Sequence, residues 1–585
     1  MDATLTKQCA LLKLHLINIM HDTVLFMLMF VFVFSGMLWA QDRRSGQPWT
    51  TRSEVIAQNG MVCSSHPLAT QIGINVLKEG GNAVDAAIAV NAALGLMEPT
   101  GCGVGGDLFA IIWDAKTKKL YGLNGSGAAP KSLTPEVFKE KGLEQIPTYG
   151  PLSVSIPGCV SGWFELLNRF GSLPMTDILQ PTIDYANNGF PLSEIIVSEF
   201  RGDIERHSQD YPNVKETFAP NGEIWEKGDV YRNPMLAKTL ALIAEKGRDE
   251  FYKGNIARTI VDFMNSQGGY WSYEDLASHT SEWVDLVSTN YRGYDVWAIP
   301  PNGQGITVLQ MLNMLELYDM KSFGFGSAEH IHFLVEAKKL AFEDRAKYYA
   351  DMRFADVPVR QLVNKEYAKI RSAEIDPDRA SITPQPGAIA GNNTIYLTTA
   401  DKEGNMVSLI QSNYWGLGSG MVPPGLGFML HNRGQSFSLV EGHANILAPG
   451  KRPFHTIIPG FITKDGKPFV SFGVMGGDFQ PQGQVQIVLN LIDFGMNLQE
   501  AGDAPRINHT GSSHFRGEPA IGGGEVVLEN GFSPTVMRQL LQRGHNVAFG
   551  FGGTYGGYQA IMHDAGRGVY FGASDSRKDG CSMGY

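Results

Sequence analysis

Thr394 opens a stretch, Thr394 to Leu409 (TIYLTTADKEGNMVSL), in which polar and apolar residues alternate up to Thr399 before Asp401-Lys402-Glu403-Gly404-Asn405 forms a turn signal. A second run follows from Met406 to Ser412, so the pattern predicts a β-hairpin with Thr394 at its first residue. A hydroxyl in that position has a route to nucleophilic chemistry. Cutting the bond before it would leave an α-amino group, with a pKa of roughly 8, beside the threonine's own Oγ as a ready base. By pattern alone an ordinary strand threonine after a polar loop fits the same residues.

Other suggestive groupings in the chain carry less. The glycine-rich run Gly101-Cys102-Gly103-Val104-Gly105-Gly106 follows a helical stretch and leads into the apolar strand Leu108 to Trp113, whereas a phosphate loop needs a strand before it and a helix after it, so a tight turn is expected. His330 and His332 fall within a helical stretch, Ala328 to Tyr349, where residues two apart face different ways, and structural roles are expected for both. The match Gly580-Cys581-Ser582-Met583-Gly584 to a nucleophile elbow lacks a following helix, since only Tyr585 remains. Helices are expected over Ser65 to Lys78 and Val84 to Met97, which pack as core, and over Gly305 to Tyr318 and about Gln482 to Phe494, with a final pair of strands around Gln559 to Met562 and Val569 to Ser574. Residues 41 to 58 read as a polar linker, and Ile375 to Asn393, with three prolines, as a loop feeding Thr394.

Several spaced blocks then point the same way: Gly80-Gly81-Asn82-Ala83-Val84-Asp85-Ala86-Ala87, the 101 to 106 loop, Pro157-Gly158, Pro300-Pro301-Asn302-Gly303-Gln304-Gly305, Asp344-Arg345-Ala346, the hairpin, Lys451-Arg452-Pro453, Gly476-Gly477 and Ala573-Ser574-Asp575-Ser576-Arg577. With them the chain, from about residue 53 onward, resembles the γ-glutamyltranspeptidase family of N-terminal-nucleophile hydrolases. The resemblance implies an α+β fold, a four-layer αββα sandwich, and a precursor that cuts itself between Asn393 and Thr394 into a large part, 41 to 393, and a small part, 394 to 585, held together as a heterodimer. It implies Thr394 as nucleophile, Gly476 and Gly477 as backbone donors of an oxyanion hole, and Ser412 where the family has a second threonine against the nucleophile. The implied reaction is acyl transfer from an amide to water or an amine, with no metal, nucleotide or organic cofactor.

The departures from the family pattern bear on the substrate. Where glutathione-cleaving members grip the α-carboxylate with an arginine this chain has Ser126, where they hold the α-amino group with an acidic residue it has Ser436, and their paired serines become His455 and Thr456. A charge-assisted contact is roughly twice as strong as a neutral one, so these exchanges are not neutral. Arg433 is a candidate replacement anchor for a carboxylate, and a structural salt bridge is an equal alternative. The expected substrates are γ-glutamyl compounds such as glutathione, or related acyl amides of the glutaryl (cephalosporin acylase-like) or oxamate kind. A catalytically silent binding protein on the same fold is the remaining alternative.

Composition sets the outer bounds. The 585 residues include 43% hydrophobic and 18% charged residues, enough for a large core and unlike a disordered chain. A net charge of −11 with no basic run argues against a nucleic-acid partner. Thr23 to Ala40 is an uncharged apolar run ending in small residues, which reads as an export signal within residues 1 to 40, with an uncleaved anchor as the alternative. Five cysteines, four beyond that segment, are too few and scattered for a disulfide framework.

Overall fold

Strands in this chain bury both faces, and that decides the architecture. In the strand Asp107–Asp114, Leu108, Ala110 and Ile112 join one hydrophobic cluster while Phe109, Ile111 and Trp113 join another, as the period of two along a strand requires. A sheet apolar on both sides needs a layer over each. The computed structural model, which describes residues 47–222, 224–385, 395–520, 522–550 and 555–585, supplies those layers within one unit, Trp49–Tyr585. Asn393, Thr394 and the apolar run 23–40 lie outside the described residues.

In chain order the strands are β1 (Val55–Ala57), β2 (Met61–Ser64), β3 (Asp107–Asp114), β4 (Lys119–Gly125), β5 (Phe190–Pro191), β6 (Val230–Tyr231), β7 (Glu282–Val284), β8 (Val287–Tyr291), β9 (Tyr294–Ala298) and β10 (Ile395–Ala400). They continue with β11 (Met406–Ser412), β12 (Gly460–Lys464), β13 (Lys467–Val474), β14 (Ile507–Thr510), β15 (Glu525–Leu528), β16 (Asn546–Phe549), β17 (Tyr558–Asp564), β18 (Val569–Ser574) and β19 (Cys581–Gly584). Two seven-stranded sheets form the centre, ordered β1-β18-β17-β13-β12-β9-β8 and β19-β2-β10-β11-β3-β4-β7. Between them lie Phe109, Ile111, Tyr396, Ile410, Phe461 and Ile561, all buried. Helices Pro67–Lys78, Ala83–Met97 and Cys159–Phe170 cover the outer face of the second sheet, and Ile306–Leu315, Ala328–Tyr348 and Phe479–Ile492 cover that of the first. This is the expected αββα sandwich.

Among the described residues the hairpin forms from Ile395 on, β10 pairing with β11 from Ile395↔Gln411 to Ala400↔Met406. Its polar residues are buried rather than solvent-facing: Thr398 Oγ1 donates to Val407 O at 2.9 Å and Thr399 Oγ1 to Ala83 O at 2.6 Å. The helix Ala83–Met97 is apolar all round and wholly buried, and the block before it explains its start. Asn82 and Asp85 form a capping box, and Asp401 Oδ2 accepts the Ala83 N–H at 2.9 Å.

One expectation is corrected. The supposed linker contains β1, which pairs with β18, because Val55 and Ile56 extend an otherwise open sheet edge. The tail that matches an elbow without a following helix is, in agreement with its rejection, the strand β19, paired with β2 from Cys581↔Ser64 to Gly584↔Met61, and Ser582 Oγ lies 2.9 Å from Ser574 Oγ. Cys63, Cys102, Cys159 and Cys581 are free thiols.

Candidate active site

The site is assembled where strand ends from both sheets meet. In the second sheet β11 ends at Ser412, opposite Asp107 at the start of β3, and Ser126 follows the last residue of β4. β10 enters at the same end, with Ile395 in register with Gln411. In the first sheet β13 runs out into Gly476 and Gly477, and β9 runs out into the Pro300–Gly305 block.

Asp107 is the hub and was not singled out from the sequence. Its carboxylate is fully buried and accepts Arg433 Nε at 2.8 Å and the Ser412 N–H at 3.1 Å. His455 Nε2 lies 3.1 Å from it and His431 Nδ1 3.6 Å. Burial alone would raise this carboxyl, but the Arg433 guanidinium and the two histidines hold it well below the usual carboxylate range. His455 is pushed down to about 4 by burial and by Arg433, and stands neutral at pH 7.

Arg433 is equally buried. Its Nη1 donates to Thr456 Oγ1 at 2.9 Å, its plane lies 4.3 Å from the Tyr414 ring centroid, and its Nη2 has no hydrogen-bond acceptor among the described residues. Ser436 stands beside the Tyr414 phenol. Ser126 joins through amides: its Oγ donates to Asn124 Oδ1 at 2.6 Å and accepts Asn302 Nδ2 at 3.2 Å, and Asn302 Nδ2 also lies 3.3 Å from His455 Nδ1. Ser412 Oγ accepts the Tyr414 N–H at 2.8 Å.

The other side is built from backbone. Gly476 and Gly477 have φ of +115° and +58°, values open to glycine and strained for other residues. They directly precede Asp478, the N-cap of the helix Phe479–Ile492, so peptide N–H groups there sit at the positive end of a helix dipole. Gln304 ties this turn to the opposite wall, its Nε2 donating to Gly477 O at 3.0 Å and to Thr456 O at 2.6 Å. Arg345, fully buried, donates to Gln304 Oε1 and pairs with Asp478 at 3.1 Å.

Thus Ser126, Ser412, Arg433, Ser436, His455, Thr456, Gly476 and Gly477 occupy one neighbourhood, and Asn393 and Thr394 lie outside the described residues. Sequence reasoning missed Asp107, Asn302, Gln304 and Arg345. Each stands in or beside a quoted block, so the blocks were signals of position without a role. The histidines differ from expectation in one respect. His332 does face away from His330, but it meets a second cluster, with His545 Nε2 at 2.8 Å and Glu336 one turn along the helix. Glu336 is occupied by Lys339 at 2.7 Å and the Ser381 N–H at 3.1 Å, and His332 Nε2 lies 2.7 Å from Asp376 O, so these groups satisfy one another.

The gamma-glutamyltranspeptidase family model matches residues 69–585. The chain belongs to this family. It is 38% identical over 539 residues to the glutathione hydrolase-like YwrD proenzyme of Bacillus subtilis (strain 168), covering 91% of this chain and 99% of that protein. It is 35% identical over 553 residues to a glutathione hydrolase proenzyme of Escherichia coli (strain K12), covering 91% and 93%. Among solved structures, a cephalosporin acylase from Bacillus halodurans superposes with a TM-score of 0.86 at 43% identity, covering 93% of this chain and 99% of that one. This family member is therefore an enzyme with the N-terminal-nucleophile hydrolase fold, an amidohydrolase or acylase.

Proposed function

We propose that the enzyme processes itself between Asn393 and Thr394 and then hydrolyses, or transfers to an amine, an acyl group that ends in a carboxylate. The observation that carries this reading is the Arg433 Nη2, a buried cationic donor with no acceptor among the described residues, beside Ser412 and Thr456. A substrate carboxylate would complete the guanidinium's bonding with a charge-assisted contact. Ser126 and Ser436 offer no charge to grip an α-amino acid end, so an acyl chain without an α-amino group, of the glutaryl kind, fits better than γ-glutamyl.

In the proposed cycle Thr394 Oγ attacks the amide carbonyl while its own α-amino group takes the hydroxyl proton. The N–H groups of Gly476 and Gly477 bind the oxyanion, and Ser412 orients the nucleophile. The amine leaves with a proton, and water or an amine resolves the ester. In self-processing the same Oγ attacks the Asn393 carbonyl, an N-to-O shift gives an ester, and water cleaves it. The two parts, 41–393 and 394–585, would stay together, because β10 and β11 lie between β2 and β3. An export signal within 1–40 accords with the apolar run 23–40, and among the described residues no helix is long and apolar enough to cross a membrane.

The test compares γ-glutamyl-p-nitroanilide, glutaryl-p-nitroanilide and oxamate on processed enzyme and on Arg433→Ala. The expected result is a preference for the glutaryl compound that Arg433→Ala removes. Strong preference for the γ-glutamyl compound would favour the second reading, glutathione-type substrates, which rests on the names of the two Bacillus and Escherichia relatives.

A further inference from the structure

Apart from the acyl site, a cavity of about 370 Å³ lies between the helix Ala328–Tyr348, the segment 382–385, the loop around 443, and residues 513–520 and 522. Glu343 forms part of its wall at 2% exposure. Its Oε2 accepts Ser513 Oγ at 3.2 Å, and its Oε1 has no hydrogen-bond donor among the described residues. A buried carboxylate oxygen left without a donor is costly, and this one lies beside a cavity large enough to bring one.

The neighbouring polar groups are already engaged. Lys338 donates to Ser512 Oγ at 2.6 Å and lies 3.0 Å from His509 Nδ1, while Arg371 pairs with Glu374 at 2.8 Å. His514 faces Glu518 at 3.0 Å, and His443 Nδ1 accepts the Asn445 N–H at 3.1 Å. Lys347, four residues beyond Glu343 on the same helix face, lies on the cavity rim and is exposed. It pairs with no carboxylate among the described residues, its ammonium lying 5.1 Å from the Tyr348 ring centroid. A buried anion and a rim cation thus share one cavity without pairing with each other. At ~30 Å³ per water the volume suits about a dozen waters, far more than a bare ion needs.

We propose that this cavity is a second ligand site for a small zwitterion, a free amino acid, whose ammonium group meets Glu343 and whose carboxylate meets Lys347. Burial of Glu343 raises its carboxyl, and the Ser513 hydrogen bonds and the more distant charges of Lys338 and Arg371 offset this only in part. The test is isothermal titration calorimetry on the full Thr394→Ala chain, which removes turnover at the acyl site. Glycine and L-alanine are the probes, with methylamine and acetate as single-charge controls. The expected result is one site per chain for both amino acids, with methylamine weaker and acetate weakest. Glu343→Gln should weaken binding at least about ten-fold and Lys347→Gln about three-fold or more. Should Glu343→Gln fail to fold by thermal melting, Lys347→Gln at its exposed position carries the test. No binding heat from either amino acid would overturn the proposal. So would affinities unchanged in folded Glu343→Gln and Lys347→Gln, or a loss seen only in Arg433→Ala, which would assign the binding to the acyl site.

Discussion

The two walls of the candidate site are made of different material. One is side chains: Asp107, Arg433, His455 and Thr456, drawn from three separate segments and bound by buried charge. The other is main chain: two glycines at positive φ before a helix, braced from behind by Gln304 and Arg345. A side-chain wall can be rewritten one residue at a time, so substrate preference can change while the reaction stays. A backbone wall depends on glycine and on the fold behind it, so it tolerates little. Relatives of this chain are named both glutathione hydrolase and cephalosporin acylase, at 35% and 43% identity, as such a contrast would allow.

The largest effect tests whether either wall matters without the nucleophile. Thr394→Ala should remain one band on an SDS gel and show no amide hydrolysis, whereas the parent's small fragment should begin Thr-Ile-Tyr-Leu on N-terminal sequencing. Cleavage at that bond in Thr394→Ala would sink self-processing.

Next comes the backbone wall. A Cβ at Gly476 would sit 3.3 Å from Phe479 Cβ and 3.4 Å from Gly556 Cα at a φ of +115°. Gly476→Val should therefore displace the turn and lower kcat by about 10² to 10³, the loss expected for one misplaced oxyanion donor. Unchanged turnover in Gly476→Val and Gly477→Val would move the oxyanion donors elsewhere.

The side-chain wall should respond mainly in KM. Arg433→Met removes one charge-assisted contact, of about 1.5 to 3 kcal/mol, so efficiency on the glutaryl substrate should fall by about ten- to a hundredfold, and much less on an acyl amide without a terminal carboxylate. It also leaves Asp107 buried without its main partner, so Tm should fall, and Asp107→Asn in the same chain should restore much of it. Equal losses on both substrates would mean that Arg433 is purely structural.

The last effect is one of pH, read in stability and not in turnover. His455, held neutral down to about 4 against an unfolded value near 6.5, favours the folded state fully only above about 6.5. As pH falls through 6.5 the unfolded chain gains a proton the folded site refuses, and stability declines until about 4, by roughly 3 kcal/mol in total. Asp107, with its depressed carboxyl, adds a loss only below about 4. The His455→Gln variant should thus show a flatter Tm between pH 6.5 and 4 than the parent. An identical slope would assign acid sensitivity to other buried histidines such as His330, which is pushed down to about 3.

The parts legible from sequence were those whose signal is local. The hairpin was written in alternation and a turn, and the helix Ala83–Met97 in its apolar run, each within one or two residues of its bounds. The linker that contains β1 was misjudged because an edge strand is defined by the strand it joins, here hundreds of residues away. Asp107 went unseen for a related reason. Its partners at 412, 433 and 455 come to it only through the register of β3 against β11 and through the long connection from β11 to β12, which carries Arg433 and His455. The four-layer order came from the family resemblance, since periodicity identifies strands without saying which sheet they enter.

The interleaving of β10 and β11 between β2 and β3 has a kinetic meaning. Strands from both sides of residue 394 must be laid down together, so the sheet can be completed only while the chain is continuous or after two pieces have collided. Folding before the cut is a first-order event. Refolding after the proposed cut would be second order, slower on dilution, and would pass through pieces with open sheet edges. The processed enzyme would therefore owe its persistence to slow unfolding more than to recovery, and heat inactivation should be far less reversible for the cut enzyme than for uncut Thr394→Ala.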